Sequence, residues 1–87
     1  MSAKVMIEYF GRYTLQTGKS SEELLLSRNI HEAYEYLRSF LKENYNIVIA
    51  RQCTIIVGRI HIQRALKENI LVEDGTVFRV IPFLSGG

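Results

Sequence analysis

The spacing of apolar positions along the chain switches between two and three-to-four residues, and the switches mark out the elements. Val5, Ile7 and Tyr9 alternate with Lys4, Met6, Glu8 and Phe10, the period of a half-buried strand. From Gly11 to Ser20 the pattern lapses into glycines and hydroxyl residues. A hairpin loop is expected there, feeding a second strand near Glu22 to Leu26. Asn29 followed by Glu32 fits a helix-capping pair. Ile30, Ala33, Tyr34, Leu37, Phe40 and Leu41 then recur at threes and fours, which predicts a helix of about four turns with one apolar stripe. His31, Glu35, Arg38 and Lys42 lie off that stripe. The run Glu43-Asn44-Tyr45-Asn46 should end the helix, because asparagine tolerates the left-handed backbone of a helix stop. Thr54 to Val57 is a β-branched run that meets Gly58-Arg59, and Ile60-His61-Ile62 alternates after it, so a second hairpin is expected. Glu73-Asp74-Gly75 reads as a turn. Val77 to Ile81 reads as the last strand, stopped by Pro82, which has no N–H for a ladder.

The expected order is therefore β-β-α-β-β-β. The apolar stripe of one helix must be buried, and the only partner large enough is a face of the sheet. This predicts an α+β fold with one main helix packed across a mixed sheet of about five strands. Val5, Ile7 and Tyr9 are expected to face the helix, which puts Met6 and Phe10 on the opposite side. Placing Arg79 outward takes Val77 and Ile81 with it, so Met6, Phe10, Val77, Arg79 and Ile81 form a candidate partner-binding patch on the far face. Phe83 and Leu84, beyond the proline, have little to pack against in their own domain and are candidate anchors in a partner's pocket.

With 87 residues, 47% of them hydrophobic and 23% charged, the chain has room for one core. The expected division is a domain over residues 1–82 and a flexible tail over 83–87. The net charge of +2 comes from scattered basic residues, not the basic stripe of a nucleic-acid binder. No window approaches the apolar length of a membrane span, and Met1-Ser2-Ala3-Lys4 has no apolar signal region. A soluble protein of the cytoplasm, without membrane or nucleic-acid partners, is expected. The lone Cys53 opens an apolar run and reads as a buried small hydrophobe, with a sulfur-relaying thiol as the rival reading. His31 and His61 have no neighbouring cysteines, so no metal site is expected. Gly18-Lys19-Ser20 fails as a phosphate loop, because six residues rather than four separate Gly18 from Gly11.

The sequence closes on Ser85-Gly86-Gly87. Glycine lacks a Cβ and lets another surface approach the chain closely, so this end reads as a thin thread able to enter a narrow site. Its candidate working group is the carboxylate of Gly87. That group is ionised at neutral pH and is a poor electrophile until a second protein activates it.

From Leu71 to Gly87 the succession of acidic turn, strand, proline and Ser-Gly-Gly resembles the C-terminus of the ubiquitin-like sulfur-carrier proteins, in particular the small subunit of molybdopterin synthase. A weaker likeness covers Phe10 to Gly18 and Thr54 to Arg59. Pro82-Phe83-Leu84 departs from the pattern, since many members carry a second proline and a smaller residue there. The resemblance implies a β-grasp fold and a carrier role. A separate adenylating (E1-like) enzyme would use ATP to convert the Gly87 carboxylate to an acyl-adenylate, and a sulfur donor protein would displace AMP to leave a thiocarboxylate. The tail would then enter the large catalytic subunit of the synthase, with Gly86 and Ser85 threading the channel, and give its sulfur to the pterin that holds molybdenum or tungsten. No tightly bound cofactor is implied for the chain itself, and it would be no enzyme on its own but the sulfur-donating subunit of a sulfurtransferase. Rival readings keep the carrier chemistry and change its destination, to thiamin, to tRNA thiolation or to an isopeptide bond in a protein modifier. A rival of another class is a ubiquitin-like interaction module, for which Gly86 and Gly87 would be dispensable.

Overall fold

In the computed structural model, which describes residues 1–83, β1 (Ser2–Tyr9) and β2 (Ser21–Ser27) pair antiparallel, with Val5 opposite Leu24 and Lys4 opposite Leu25. The last strand, β5 (Val77–Pro82), inserts beside β1 in parallel and also pairs antiparallel with β3 (Cys53–Val57). The short β4 (Ile60–His61) finishes a five-stranded sheet in the order β2-β1-β5-β3-β4. β5 takes the centre because it is apolar on both sides. Phe78 and Val80 are buried on the inner face, and Val77 and Ile81 are half-buried on the outer one, which is the composition a central strand needs.

The long helix α2 (Ile30–Tyr45) crosses the inner face and buries Ile30, Ala33, Leu37 and Leu41 completely. Tyr34 and Phe40, also on the expected stripe, pack against the same core at its margin. Both ends are closed as the sequence predicts. Asn29 Oδ1 accepts from the Glu32 amide at 3.1 Å, and Asn46 adopts φ 58° while its amide reaches the carbonyls of Leu41 and Lys42. The expected inward side chains of β1, Val5, Ile7 and Tyr9, are all buried in the same cluster.

Two segments differ from the expected order. The stretch read as a hairpin loop contains a short helix, α1 (Tyr13–Thr17), whose Tyr13 and Thr17 face the core one turn apart. The hydroxyl residues that suggested a loop are satisfied locally: Thr14 Oγ1 donates to the Gly11 carbonyl at 2.9 Å, and Thr17 Oγ1 to that of Tyr13 at 2.7 Å. Gly18, at φ 77°, closes this helix and belongs to no phosphate loop. Similarly, Ile62 does not extend the second hairpin but opens α3 (Ile62–Glu68). His61 caps it by accepting from the Gln63 amide at 3.2 Å, and burial of Ile62 and Ala65 holds it to the sheet.

A polar knot ties β1, β2 and the end of α2. Glu22 Oε2 accepts hydrogen bonds from Tyr9 Oη at 2.5 Å and Tyr45 Oη at 2.7 Å, while Lys19 Nζ stands 3.4 Å from Oε1. Burial alone would raise the Glu22 carboxyl, but the two tyrosine hydroxyls and the lysine outweigh it and hold the group below its ordinary value. Tyr9 is pushed far up, first by burial and then by its bond to Glu22. A carboxyl lowered by folding stabilises the native state above its unfolded pKa of about 4.3, and that contribution is lost as pH falls through the lower folded value. The urea midpoint should therefore decline below about pH 4.3, and a Glu22→Gln variant should show a shallower decline. Parallel curves for the two proteins would show that the knot contributes nothing.

Candidate functional site

Strand alternation and register assemble the outer face around β5. Phe78 and Val80 point inward, so Val77, Arg79 and Ile81 point outward. In the parallel pairing with β1, Met6 lies beside Val77 and Glu8 beside Arg79. On the other flank, Ile56 lies beside Arg79 and Thr54 beside Ile81. Met6, Val77, Arg79 and Ile81 are thus brought together on one face, as their alternation predicts. Phe10 follows β1 with its amide donating to the Val80 carbonyl at 3.3 Å, and its side chain is 40% exposed.

Arg79 does not stand free in this face. Its Nε lies 3.2 Å from Glu8 Oε1, and Nη1 donates to the Gly58 carbonyl at 2.6 Å. The guanidinium is held down by partners on both sides, and its charge is balanced by Glu8. What remains is a surface of half-buried aliphatic side chains with a neutralised ion pair set into it. Such a face suits a partner that covers it and excludes water.

Phe83 is 46% exposed and lines a hollow of about 170 Å³ with Tyr34, Ala50, Cys53, Thr54 and His61. Its amide donates to the Gln52 carbonyl at 3.1 Å. Leu84, Ser85, Gly86 and Gly87, the other candidate residues, lie outside the described residues.

The outer face also holds residues that were not singled out from sequence. Ile56 completes the aliphatic surface on β3, and its alternation with Ile55 and Val57 was the available signal. Leu25, 64% exposed on β2, borders a second hollow of about 470 Å³ on the β2–β1 side of the sheet, which reaches the patch at Met6 and is lined also by Lys4, Glu23, Arg28 and Asp74. There Asp74 accepts from the Lys4 amide at 2.9 Å and from Arg28 Nη2 at 3.3 Å. These bonds hold its carboxyl below the ordinary range, the Lys4 amide most of all.

Cys53 is fully buried, and burial pushes its thiol above the ordinary value. This is the environment of an inert core cysteine. His31 is exposed on α2, and His61 is engaged at 2.7 Å with Thr54 Oγ1 while capping α3. No described helix is long and apolar enough to cross a membrane.

No protein-family model matches the chain, and no curated protein sequence matches it. Its fold, however, has solved counterparts. The small archaeal modifier protein 1 from Methanosarcina acetivorans superposes with a TM-score of 0.69 at 18% identity, over 100% of this chain and 99% of that one. The HVO 2177 protein of Haloferax volcanii gives 0.66 at 14% identity, over 99% and 88%. A chain from the complex of subunits 1 and 2 of molybdopterin-converting factor from Helicobacter pylori gives 0.60 at 20% identity, over 97% and 99%. The superpositions run nearly end to end, so the fold as a whole is shared. The protein therefore has the α+β, ubiquitin-like β-grasp fold that the resemblance of residues Leu71 to Gly87 implies.

Proposed function

We propose that this protein is a sulfur carrier for molybdopterin biosynthesis, working through the carboxylate of Gly87. The observation that carries the reading is the junction of face and tail. β5 lays Val77, Arg79 and Ile81 on a half-buried apolar surface, and the sequence continues from that strand into Ser85-Gly86-Gly87. A body that docks and a thin end that reacts are the two parts a carrier requires. Five residues from Phe83 onward reach at most about 17 Å when extended, enough to enter a buried site while the sheet stays docked outside it.

In this reading a separate adenylating enzyme binds the outer face and brings the Gly87 carboxylate to ATP. The carboxylate oxygen attacks the α-phosphate and pyrophosphate leaves, which converts the carboxylate into an acyl-adenylate. Sulfide-level sulfur from a donor protein then attacks the acyl carbon, AMP leaves, and a thiocarboxylate remains. The same face docks on the large synthase subunit, where the thiocarboxylate sulfur bonds to a carbon of the pterin precursor and water then cleaves the Gly87 acyl C–S bond, leaving the sulfur on the pterin and returning the carboxylate. The helicobacter neighbour, solved as a complex of two subunits, supports a large-subunit partner. The chain supplies no catalytic side chain to these steps and holds no cofactor tightly, and it acts in the cytoplasm.

A second reading is supported by the archaeal neighbour, which is a modifier protein. There the activated Gly87 forms an isopeptide bond to a lysine of another protein. Delivery of sulfur to thiamin or tRNA would use the same first steps.

The test is the intact mass of the chain after incubation with ATP, an adenylating enzyme and a sulfur source. A gain equal to one oxygen exchanged for sulfur is expected, and it should vanish when Gly87 is deleted. Conjugates carrying the whole chain would favour the modifier. An unchanged mass beside an enzyme shown to be active would overturn the carrier reading and leave a ubiquitin-like interaction module.

A further inference from the structure

On one side the sheet ends in an open edge. β2 pairs only with β1, and along that ladder the Tyr9 amide donates to the Ser20 carbonyl and the Arg28 amide to the Met1 carbonyl. Bonding alternates along an antiparallel pair, so the even-numbered residues of β2 turn their backbone groups to β1. The N–H and C=O groups of Ser21, Glu23, Leu25 and Ser27 therefore point away from the sheet, and none has a backbone partner among the described residues. The other edge is closed by its own build, since β4 is two residues long and runs directly into α3. β2 has seven residues in unbroken register, with no proline, lysine or bulge to discourage pairing.

Apolar side chains flank this edge on both faces of the sheet. Leu25 on the outer face is 64% exposed, and Leu24 on the inner face is half-buried. On α2, Tyr36 is 55% exposed and stacks on Phe40, whose ring meets Tyr45 edge-on. Tyr45 Oη donates to Glu22 at 2.7 Å, which anchors this aromatic row beside β2.

The strand is complementary to itself. Laid antiparallel against a second copy about Leu24, Ser21 falls opposite Ser27, Glu22 opposite Leu26 and Glu23 opposite Leu25, so no two like charges face each other. The same register joins the free backbone groups, because all four outward residues meet outward residues of the other copy and form about eight ladder bonds. Leu25 then lies between Lys4 of its own β1 and Glu23 of the other copy on the outer face. Neither Lys4 nor Glu23 has an ionic partner among the described residues, and their side chains together span the roughly 10 Å of two strand spacings.

We propose that two copies of this protein associate edge to edge through β2, in a two-fold symmetric dimer centred on Leu24. The pairing leaves the outer face of β5 free and is independent of the carrier reading.

Sedimentation equilibrium of the full chain from about 10 μM to about 1 mM covers the range of weak symmetric contacts. A monomer–dimer equilibrium is expected within it, with concentration-dependent amide NMR shifts centred on β2, Tyr36 and Phe40. Leu25→Pro removes an N–H that the monomer does not use, so the variant should stay folded and dimerise at least about tenfold more weakly. Leu24→Cys reads the register without a proline. Its two copies stand directly opposite and should close a disulfide under mild oxidation, whereas Glu23→Cys, displaced two positions from its copy, should stay reduced. The native Cys53 is fully buried and does not compete. A monomer throughout the range would overturn the proposal and leave the edge to an extended segment of another protein. A dimer whose shifts gather on Val77 and Ile81, or one that Glu23→Cys cross-links faster than Leu24→Cys, would overturn the β2 contact or its register.

Discussion

Phe78→Ala is expected to remove about 3–5 kcal/mol of stability and to lower the melting temperature by more than about 12 °C. Phe78 is fully buried in the central strand, with Ile7 beside it on β1 and Val57 beside it on β3. Its ring therefore packs where the two halves of the sheet join. A domain of this size has a total stability of about 5–10 kcal/mol, so the loss takes about a third of it or more. Few neighbours can shift into the space, because strands on both flanks are tied by ladder bonds. Val77→Ala, one position away and half-buried on the outer face, should cost less than about 1.5 kcal/mol. Thermal and urea unfolding of the two variants would measure the difference. Equal losses would mean that the inward and outward faces of β5 had been misassigned.

Ile81→Glu should leave the protein folded and, on the proposed carrier reading, weaken association with an adenylating enzyme about thirtyfold or more, the effect of a residue at the centre of an interface. Ile81 shares the outer face with Arg79, Val77 and Met6 and lies close to where β5 ends. A carboxylate there would be carried into a water-excluded contact without a partner, since the nearby Arg79 is already engaged by Glu8 and the Gly58 carbonyl. Leu25→Glu is the informative control. Leu25 is more exposed and lies on the same face of the sheet, but on the edge strand β2. Calorimetric titrations without ATP should show binding preserved in the Leu25 variant and lost in the Ile81 variant. Equal effects would argue for a contact spread across the whole sheet, and no effect from either would remove the outer face from the docking site.

The elements that were legible in the sequence are those whose signals repeat. α2 carries four turns of apolar stripe between two asparagine caps, so each turn reinforces the assignment of the next. β1 and β5 alternate long enough to define two faces, and the single charge at Arg79 was sufficient to decide which face of β5 lies outward. α1 and α3, of five and seven residues, are too short for periodicity to accumulate. Tyr13 and Thr17 are one turn apart, yet the surrounding glycines and hydroxyls describe a loop equally well. Ile62 continues the alternation of Ile60, and the helix that claims it packs Ile62, Ala65 and Leu66 on one face against the core.

The candidate patch was legible for the same reason as β5. Once one residue of an alternating strand is placed, its second neighbours follow, and Met6, Val77, Arg79 and Ile81 needed no further information. Glu22 was not legible as a centre. Its partners Tyr9 and Tyr45 come from a different strand and from the end of the helix, and nothing local distinguishes it from Glu23.

The sequence by itself determined the helix and its buried stripe, the two faces of the first and last strands, and the Ser-Gly-Gly that closes the chain, because each is written in the spacing or identity of neighbouring residues. Only the tertiary structure decided that β5 lies at the centre between β1 and β3, and that Tyr13 meets the Phe83 amide at the Gln52 carbonyl. Strand order depends on pairing across the chain, which local periodicity does not carry. The Gln52 carbonyl that accepts from Tyr13 Oη and from the Phe83 amide belongs to the backbone, which is the same at every residue, so its partners are set entirely by where the fold puts it.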